Sequence, residues 1–458
     1  MSSLLMILLL SLLQLFAGFG LLSFFRPTIS AGTLLPLSLL GGIAVFSFIP
    51  FLLQLLYIPL TSFSVFLSLI LATLLLNLRI HAVKSQWLLV RSAKMRIQFY
   101  ELPFLLVIGL IVFLSVWRCF YFPPTPRDLT SGAELIAEYT VREKTMINSV
   151  FTVNMETNNN QFKSPFITSL QIIYKYAGFP FGQIWLSSVF IGFLAFLYRA
   201  LCKNLHPIIA GFLLLSFVAI PEMYAYTFMV LYDYSTAVYF CIGTFFLVRY
   251  FENGHPREMA LAGLFMGMAV YIRSESLVLV ALFLPALFWH HIKRWEGLQL
   301  ITRAGLLLLI PSVFFYLITI WLYNDHYLPN AYPVEGLVNH HLLNLGPLFA
   351  RFADVNNKLI FSETGIDYYA YFIFIFLLVL LLDLVLTDKW STASRNWLYA
   401  VLVVYLGLPV LGYLLPLMDL DNSTKRGLFR IFPLMLLYMG NCGLLSTLSE
   451  NIREWERK

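Results

Sequence analysis

Runs of about 15–24 mainly apolar residues recur along the whole chain, and they constrain its fold more than any other feature. Each is long enough to cross roughly 30 Å of hydrocarbon as a helix. A segment in lipid must satisfy its own backbone hydrogen bonds, so helices are expected and open sheet is not. Strand-like alternation of the barrel type is absent. Of the 458 residues, 60% are hydrophobic and 12% charged, against about 25% charged in soluble domains. A water-soluble fold this apolar has nowhere to place its surface.

The expected fold class is therefore all-α, a polytopic transmembrane helical bundle. Candidate spans are 4–25, 33–56, 60–79, 102–120, 182–201, 207–221, 233–250, 257–271, 276–291, 303–323, 368–387, 397–416 and 428–446, about thirteen in all. Residues 1–25 lack a basic leading region and a small-residue cleavage site, so they read as a retained first span. Cys119, Cys202, Cys241 and Cys442 lie in or beside apolar runs, which argues against a disulfide framework, and no pair has metal-ligand spacing.

Basic residues in short loops set the orientation. Arg79, Lys84, Arg91, Lys94 and Arg96 place the segment after the third span in the cytoplasm. Alternation from there puts about 18 of the 30 Lys/Arg and about 9 of the 24 Asp/Glu inside. Such loops account for the net charge of +6 without nucleic acid. Two long outer-face loops result, at about 121–181 and 324–367, and loops of this length are usually functional. In the first, Asp128, Leu129 and Thr130 resemble a helix start, and Asn158, Asn159 and Asn160 mark a turn. Short amphipathic helices are expected along the membrane surface, one bearing Leu135, Ile136 and Tyr139 and one in SPFITSLQIIYKYAG. A polar helical stretch is expected near 340–360.

Several polar residues stand at the outer ends of apolar runs. Asp128 follows a stiff stretch with Pro123, Pro124 and Pro126. A partly desolvated carboxylate there suits a general base, and the same position suits an N-cap. Arg273 and Glu275 fall in a tight turn between two short apolar pieces. There Arg273 could bind phosphate with two parallel hydrogen bonds or simply snorkel to the interface. Asp419, Asp421, Lys425, Arg426 and Arg430 crowd the start of the last span. A cationic cluster outside runs against the positive-inside tendency. Its simplest partner is a lipid phosphate, and the alternative is a solvated cluster balanced by its own aspartates. Asp233, like Glu222, suits either a helix cap or a group that positions a hydroxyl. His326, Asp325, Glu335, His340 and His341 have no diagnostic metal spacing. No phosphate-cradling glycine loop, GxSxG or nucleotide motif is present.

In order along the chain, these features resemble the GT-C superfamily of polyprenyl-phosphate-sugar-dependent glycosyltransferases. That superfamily includes protein O-mannosyltransferases, aminoarabinose transferases and arabinofuranosyltransferases. The resemblance covers about residues 102–440. It consists of an outer loop with an early acid (Asp128), the Pro-containing KSPFITSLQIIYKYAGF, the LAGLFMGMAVYIRSES turn, YNDHYLPNAY and DNSTKRGLFRIFP. Arg127 precedes a single acid here, where many relatives carry two adjacent acids. The first three spans precede the matching part, which divides the chain into 1–101, with extra spans and a basic cytoplasmic loop, and 102–458, the catalytic module.

The resemblance implies sugar transfer from a polyprenyl-phosphate donor in the bilayer to a hydroxyl of a protein, lipid or glycan acceptor, with inversion. Asp128 would be the general base. Arg273, Lys425, Arg426, Arg430 and Lys163 would hold the donor phosphate, and Asp233, Glu275, Asp421, Tyr327 and Asn330 would position substrate. No cofactor is implied, and a divalent cation is not indicated. The expected location is a bacterial inner membrane with the site facing the periplasm. Two other classes compete. A transporter or flippase would use the cationic cluster for binding alone. An outer-face polysaccharide polymerase or ligase would draw on His340, His341 and Arg351.

Overall fold

The computed structural model describes residues 3–25, 29–92, 97–125, 132–153, 163–293, 297–329, 339, 344–387, 390–415 and 418–457. Among them the chain is helical throughout and holds no strand. Six helices are long and apolar enough to cross a membrane: Leu4–Phe25, Ala31–Leu55, Phe99–Tyr121, Ser276–Lys293, Gln299–Tyr327 and Thr392–Leu414. The total reaches nine if each of three sharply bent pairs is one span. These helices point to an integral membrane protein.

Local chemistry sets the helix ends. Ser30 caps the Ala31–Phe46 helix by accepting from the Thr33 amide, and Thr61 forms a capping box with Ser64 at the head of Ser62–Leu76. Gly254 adopts a left-handed φ of 70° and ends Tyr232–Asn253. Pro256 then starts Pro256–Ile272 at once. That is the glycine-out, proline-in arrangement of a tight helical hairpin.

Among the helices of 18 residues or more, the least accessible is not one of the most apolar. Tyr232–Asn253 is buried along nearly its whole length and packs against Pro256–Ile272, which in turn packs on Leu298–Tyr316. The strongly apolar Phe99–Tyr121 and Gln299–Tyr327 are mostly unburied, as lipid-facing helices should be. Outside water there is little hydrophobic force between helices, so close approach depends on small residues. At Gly18 and Gly42 an added Cβ would collide with backbone of the facing helix, at Ser38 and Gln14 respectively.

Two breaks depart from the continuous spans read from sequence. The 368–387 run is preceded by Glu363–Tyr369 and bends by 94° near Ala370, which has a φ of 49°. The last run breaks after Met439, where Gly443–Arg457 leaves at 48°. In the first long connection, Ala133–Glu143 lies on Phe166–Tyr176. Lys175 is held between Glu134, at 2.6 Å, and Glu138, at 3.0 Å. The expected helix start at 128–130 and the turn at 158–160 lie outside the described residues. The expected polar helix near 340–360 is found at Gly346–Asp354 and Val355–Ile360.

The glycine contacts give a direct test. Gly42→Ala should cost roughly 1–3 kcal/mol through overpacking, seen as a lower melting temperature in detergent. Gly109→Ala, with no atom within 4 Å of its added Cβ, should leave the melt unchanged.

Candidate functional site

The ends of three chain segments meet around Asp233. It stands in the first turn of Tyr232–Asn253, where an acid complements the helix dipole. The N-cap itself is Leu231, so Asp233 does not act as a cap. Its carboxylate is instead an ion-pair partner. Arg273 binds it through Nη1, and Arg426 Nη1 lies 3.4 Å from the other oxygen.

Arg273 reaches this position because Pro256–Ile272 ends there in an extended residue, and the Ser276 amide closes the turn by donating to the Arg273 carbonyl at 2.9 Å. Within the turn Arg273 also binds Glu275. The third segment begins at Asp419, whose side chain accepts from the Ser423 amide at 2.6 Å and caps a wide turn over Leu420–Thr424. Lys425–Gly427 and the tight turn Leu428–Arg430 follow. The resulting twist sends the three cations to three acids. Lys425 Nζ meets Glu222 at 2.7 Å, Arg426 meets Asp233, and Arg430 Nη2 approaches Glu275 at 3.5 Å while donating to Ser276 at 3.1 Å.

Aromatic groups close the sides. The Lys425 ammonium lies 3.9 Å from the Tyr368 ring centre, and the Tyr369 hydroxyl donates to the Lys425 carbonyl at 3.1 Å. The bend near Ala370 delivers both tyrosines. Arg351 donates to Thr424 at 3.0 Å, tying Gly346–Asp354 to the same corner.

Lys163 completes the cluster. The Tyr232 hydroxyl donates to the Ser164 carbonyl at 3.2 Å, and the Lys163 ammonium lies 5.7 Å from the Tyr232 ring centre. Part of its side chain meets solvent, but the ammonium is crowded by protein and stands in the fields of Arg273 and Arg426. Lost hydration first and those like charges second push its pKa down to about 8.

Five cations thus surround three acids, an excess of two formal charges. Asp233 and Arg430 are each 2% exposed at the side chain, and Arg430 Nε is buried with no hydrogen-bond partner among the described residues. Taking ions out of water costs several kcal/mol each unless they are matched. Here they are matched to one another, with positive charge left over. Arginine forks carry five N–H donors and can bind an anion without releasing their acids.

Arg273, Glu275, Asp233, Lys163, Lys425, Arg426 and Arg430 are therefore brought together. Asp421 is exposed and outside the network. Tyr327 donates to the Gln54 carbonyl at 2.8 Å and packs edge-on to Phe51, also apart from it. Asp128, Asn330, Glu335, His340 and His341 lie outside the described residues. Glu222, Tyr368 and Tyr369, which the sequence already marks at the ends of apolar runs, join the site, whereas Ser276 joins it with no clear signal in the sequence. Comparison with protein-family models, with curated proteins and with solved structures finds no match to this chain.

Asp233→Asn would leave Arg273 and Arg426 facing each other across a neutral amide. The expected cost is about 3–5 kcal/mol, as for breaking one member of a buried pair, measured by denaturation in detergent. Adding Arg426→Gln should recover part of the loss. An unchanged melt would mean that the network is hydrated.

Proposed function

We propose that the chain is a membrane glycosyltransferase that moves a sugar from a polyprenyl-phosphate carrier to an acceptor hydroxyl. The observation that carries this reading is the buried network with surplus positive charge around Asp233. Such a site suits an anion whose charge grows during reaction. In the proposed step Asp128 takes the proton of the acceptor hydroxyl. The oxygen attacks the anomeric carbon from the face opposite the carrier, and the bond to the phosphate oxygen breaks. The lipid phosphate leaves with the electron pair and is held by Arg273, Arg426, Lys425, Arg430 and Lys163, while Asp233 and Glu275 fix the forks. The product is inverted. No cofactor enters, because the carrier-linked sugar is a substrate.

Two details support placing Asp128 in this role. Thr125, the last described residue before the segment with Asp128, accepts from the Val230 amide at 3.3 Å, and Val230 is three residues before Asp233. Ser164, later in the same connection, is bonded by Tyr232. The connection is thus tied beside the network on both sides of Asp128 in sequence. In this reading the shorter buried helices also span, giving about thirteen crossings. The network faces the outer side of a bacterial inner membrane, residues 102–458 form the catalytic module, and 1–101 form the added spans.

The test is consumption of a panel of polyprenyl-phosphate sugars by the purified protein with a crude acceptor extract. Wild type should turn over one donor, and Asp128→Asn, still folded, should be slower by about 10²–10⁴-fold. If no donor is consumed but donor lipid raises thermal stability, the site binds or transports and the enzyme reading fails.

A second expectation concerns pH. Lys163 loses its positive charge as pH rises through about 8, so the donor KM should climb over that interval. Lys163→Arg, which stays charged, should flatten the climb. A wild-type KM independent of pH would remove Lys163 from the donor site.

A further inference from the structure

We infer that a second site, independent of the Asp233 network, binds the head group of an anionic phospholipid. A cavity of about 550 Å³ opens between the end of Leu284–Lys293 and the start of Thr392–Leu414. Arg273 precedes the 18-residue span Ser276–Lys293, which ends at Lys293, so the two sites are separated by roughly 27 Å of helical rise.

Lys293 and Arg395 both line the cavity, and neither forms an ion pair among the described residues. Among the described residues, the Arg395 guanidinium donates one long hydrogen bond, 3.5 Å, to the Thr392 hydroxyl. No carboxylate is among the described lining residues. The amide nitrogen of Asn396 is buried in the cavity wall with no hydrogen-bond partner among the described residues. A buried donor left unpaired costs about 1–3 kcal/mol, and an oxygen-rich ligand would satisfy it. The two cations suit one phosphate, and Asn396 suits an ester or hydroxyl oxygen beside it.

The shared chemistry is a phosphate, which could come from lipid or from solution. Two features assign it to the bilayer. Trp289, on the cavity rim, is 70% exposed, and Phe288 and Ile292 continue an apolar face along the outside of the same helix. A head group in the cavity can therefore run its chains down that face. The cavity also lies where two candidate spans reach a membrane boundary, a level at which Trp and basic residues gather and basic pockets between helices hold anionic head groups.

The experiment uses the full chain in neutral detergent, with lipid retention read by native mass spectrometry and stability by thermal melting. Phosphatidylglycerol should be retained over phosphatidylcholine and should raise the melting temperature. Lys293→Ala with Arg395→Ala should reduce phosphatidylglycerol retention roughly tenfold and leave the lipid-free melt unchanged. Asn396→Leu, a variant that keeps both cations, should also reduce retention, which covers the case in which the double variant does not fold. Equal retention of the two lipids, or undiminished retention in both variants, would overturn the inference. So would inorganic phosphate at millimolar concentration reproducing the full melting shift, which would assign the site to a soluble anion.

Discussion

The matching of Asp233 to Arg273 and Arg426 is the interaction on which the rest of the arrangement depends. A carboxylate 2% exposed cannot remain ionised without close counter-charges. Those charges come from positions 40 and 193 residues away. Satisfying one aspartate therefore fixes the end of Pro256–Ile272 and the start of the last helical segment against the head of Tyr232–Asn253. Glu222 and Glu275 extend the same logic outward, each taking a cation that Asp233 does not. A fold held this way resists sliding of its helix ends, since any shift strands a charge.

Elsewhere much of the packing relies on contact and on single hydrogen bonds, with isolated ion pairs such as Arg249 with Glu258. Gln14 donates to the Tyr174 hydroxyl at 3.1 Å, and the Tyr239 hydroxyl donates to the Leu40 carbonyl at 2.9 Å. Both bonds join the first hundred residues to the later helices. With glycine contacts between the first two helices, they help dock the N-terminal spans, with no ion pair to the later helices among the described residues. The densest charge network sits around Asp233, while contacts, single hydrogen bonds and isolated ion pairs hold much of the rest, which is how a binding corner can be rigid within a lipid-exposed scaffold.

Much of this layout is legible in the sequence, for a physical reason. Crossing hydrocarbon needs a long apolar run, so the runs at 4–25, 102–120, 233–250 and 257–271 locate their helices within a few residues. Interruptions are less legible. Nothing in the composition of 368–387 announces a 94° bend at its start, because the bend comes from one backbone conformation at Ala370. The members of the charged cluster stand out one by one as ions at the ends of apolar runs. Their pairing does not, since sequence alone leaves open whether Arg426 meets Asp421, five residues away, or Asp233, on another helix. Local spacing also allows a solvated cluster balanced by its own aspartates. Tertiary placement decides otherwise for Lys425, Arg426 and Arg430, while Asp421 stays exposed.

That outcome bears on why acids sit inside a site proposed to hold a phosphate. Five cations alone would repel one another and could not stay buried before the ligand arrives. Acids in equal number would cancel the attraction for an anion. Three acids against five cations lie between these limits, so the empty site is tolerable and the filled one is favoured. Asp233 and Glu275 each occupy only part of an arginine's fork, which holds the planar group in one orientation and leaves other N–H donors, such as buried Arg430 Nε, for an incoming oxygen. In the glycosyl-transfer reading this is preorganisation. The charges that stabilise the departing phosphate are fixed before it forms, so little reorganisation is needed as the bond breaks.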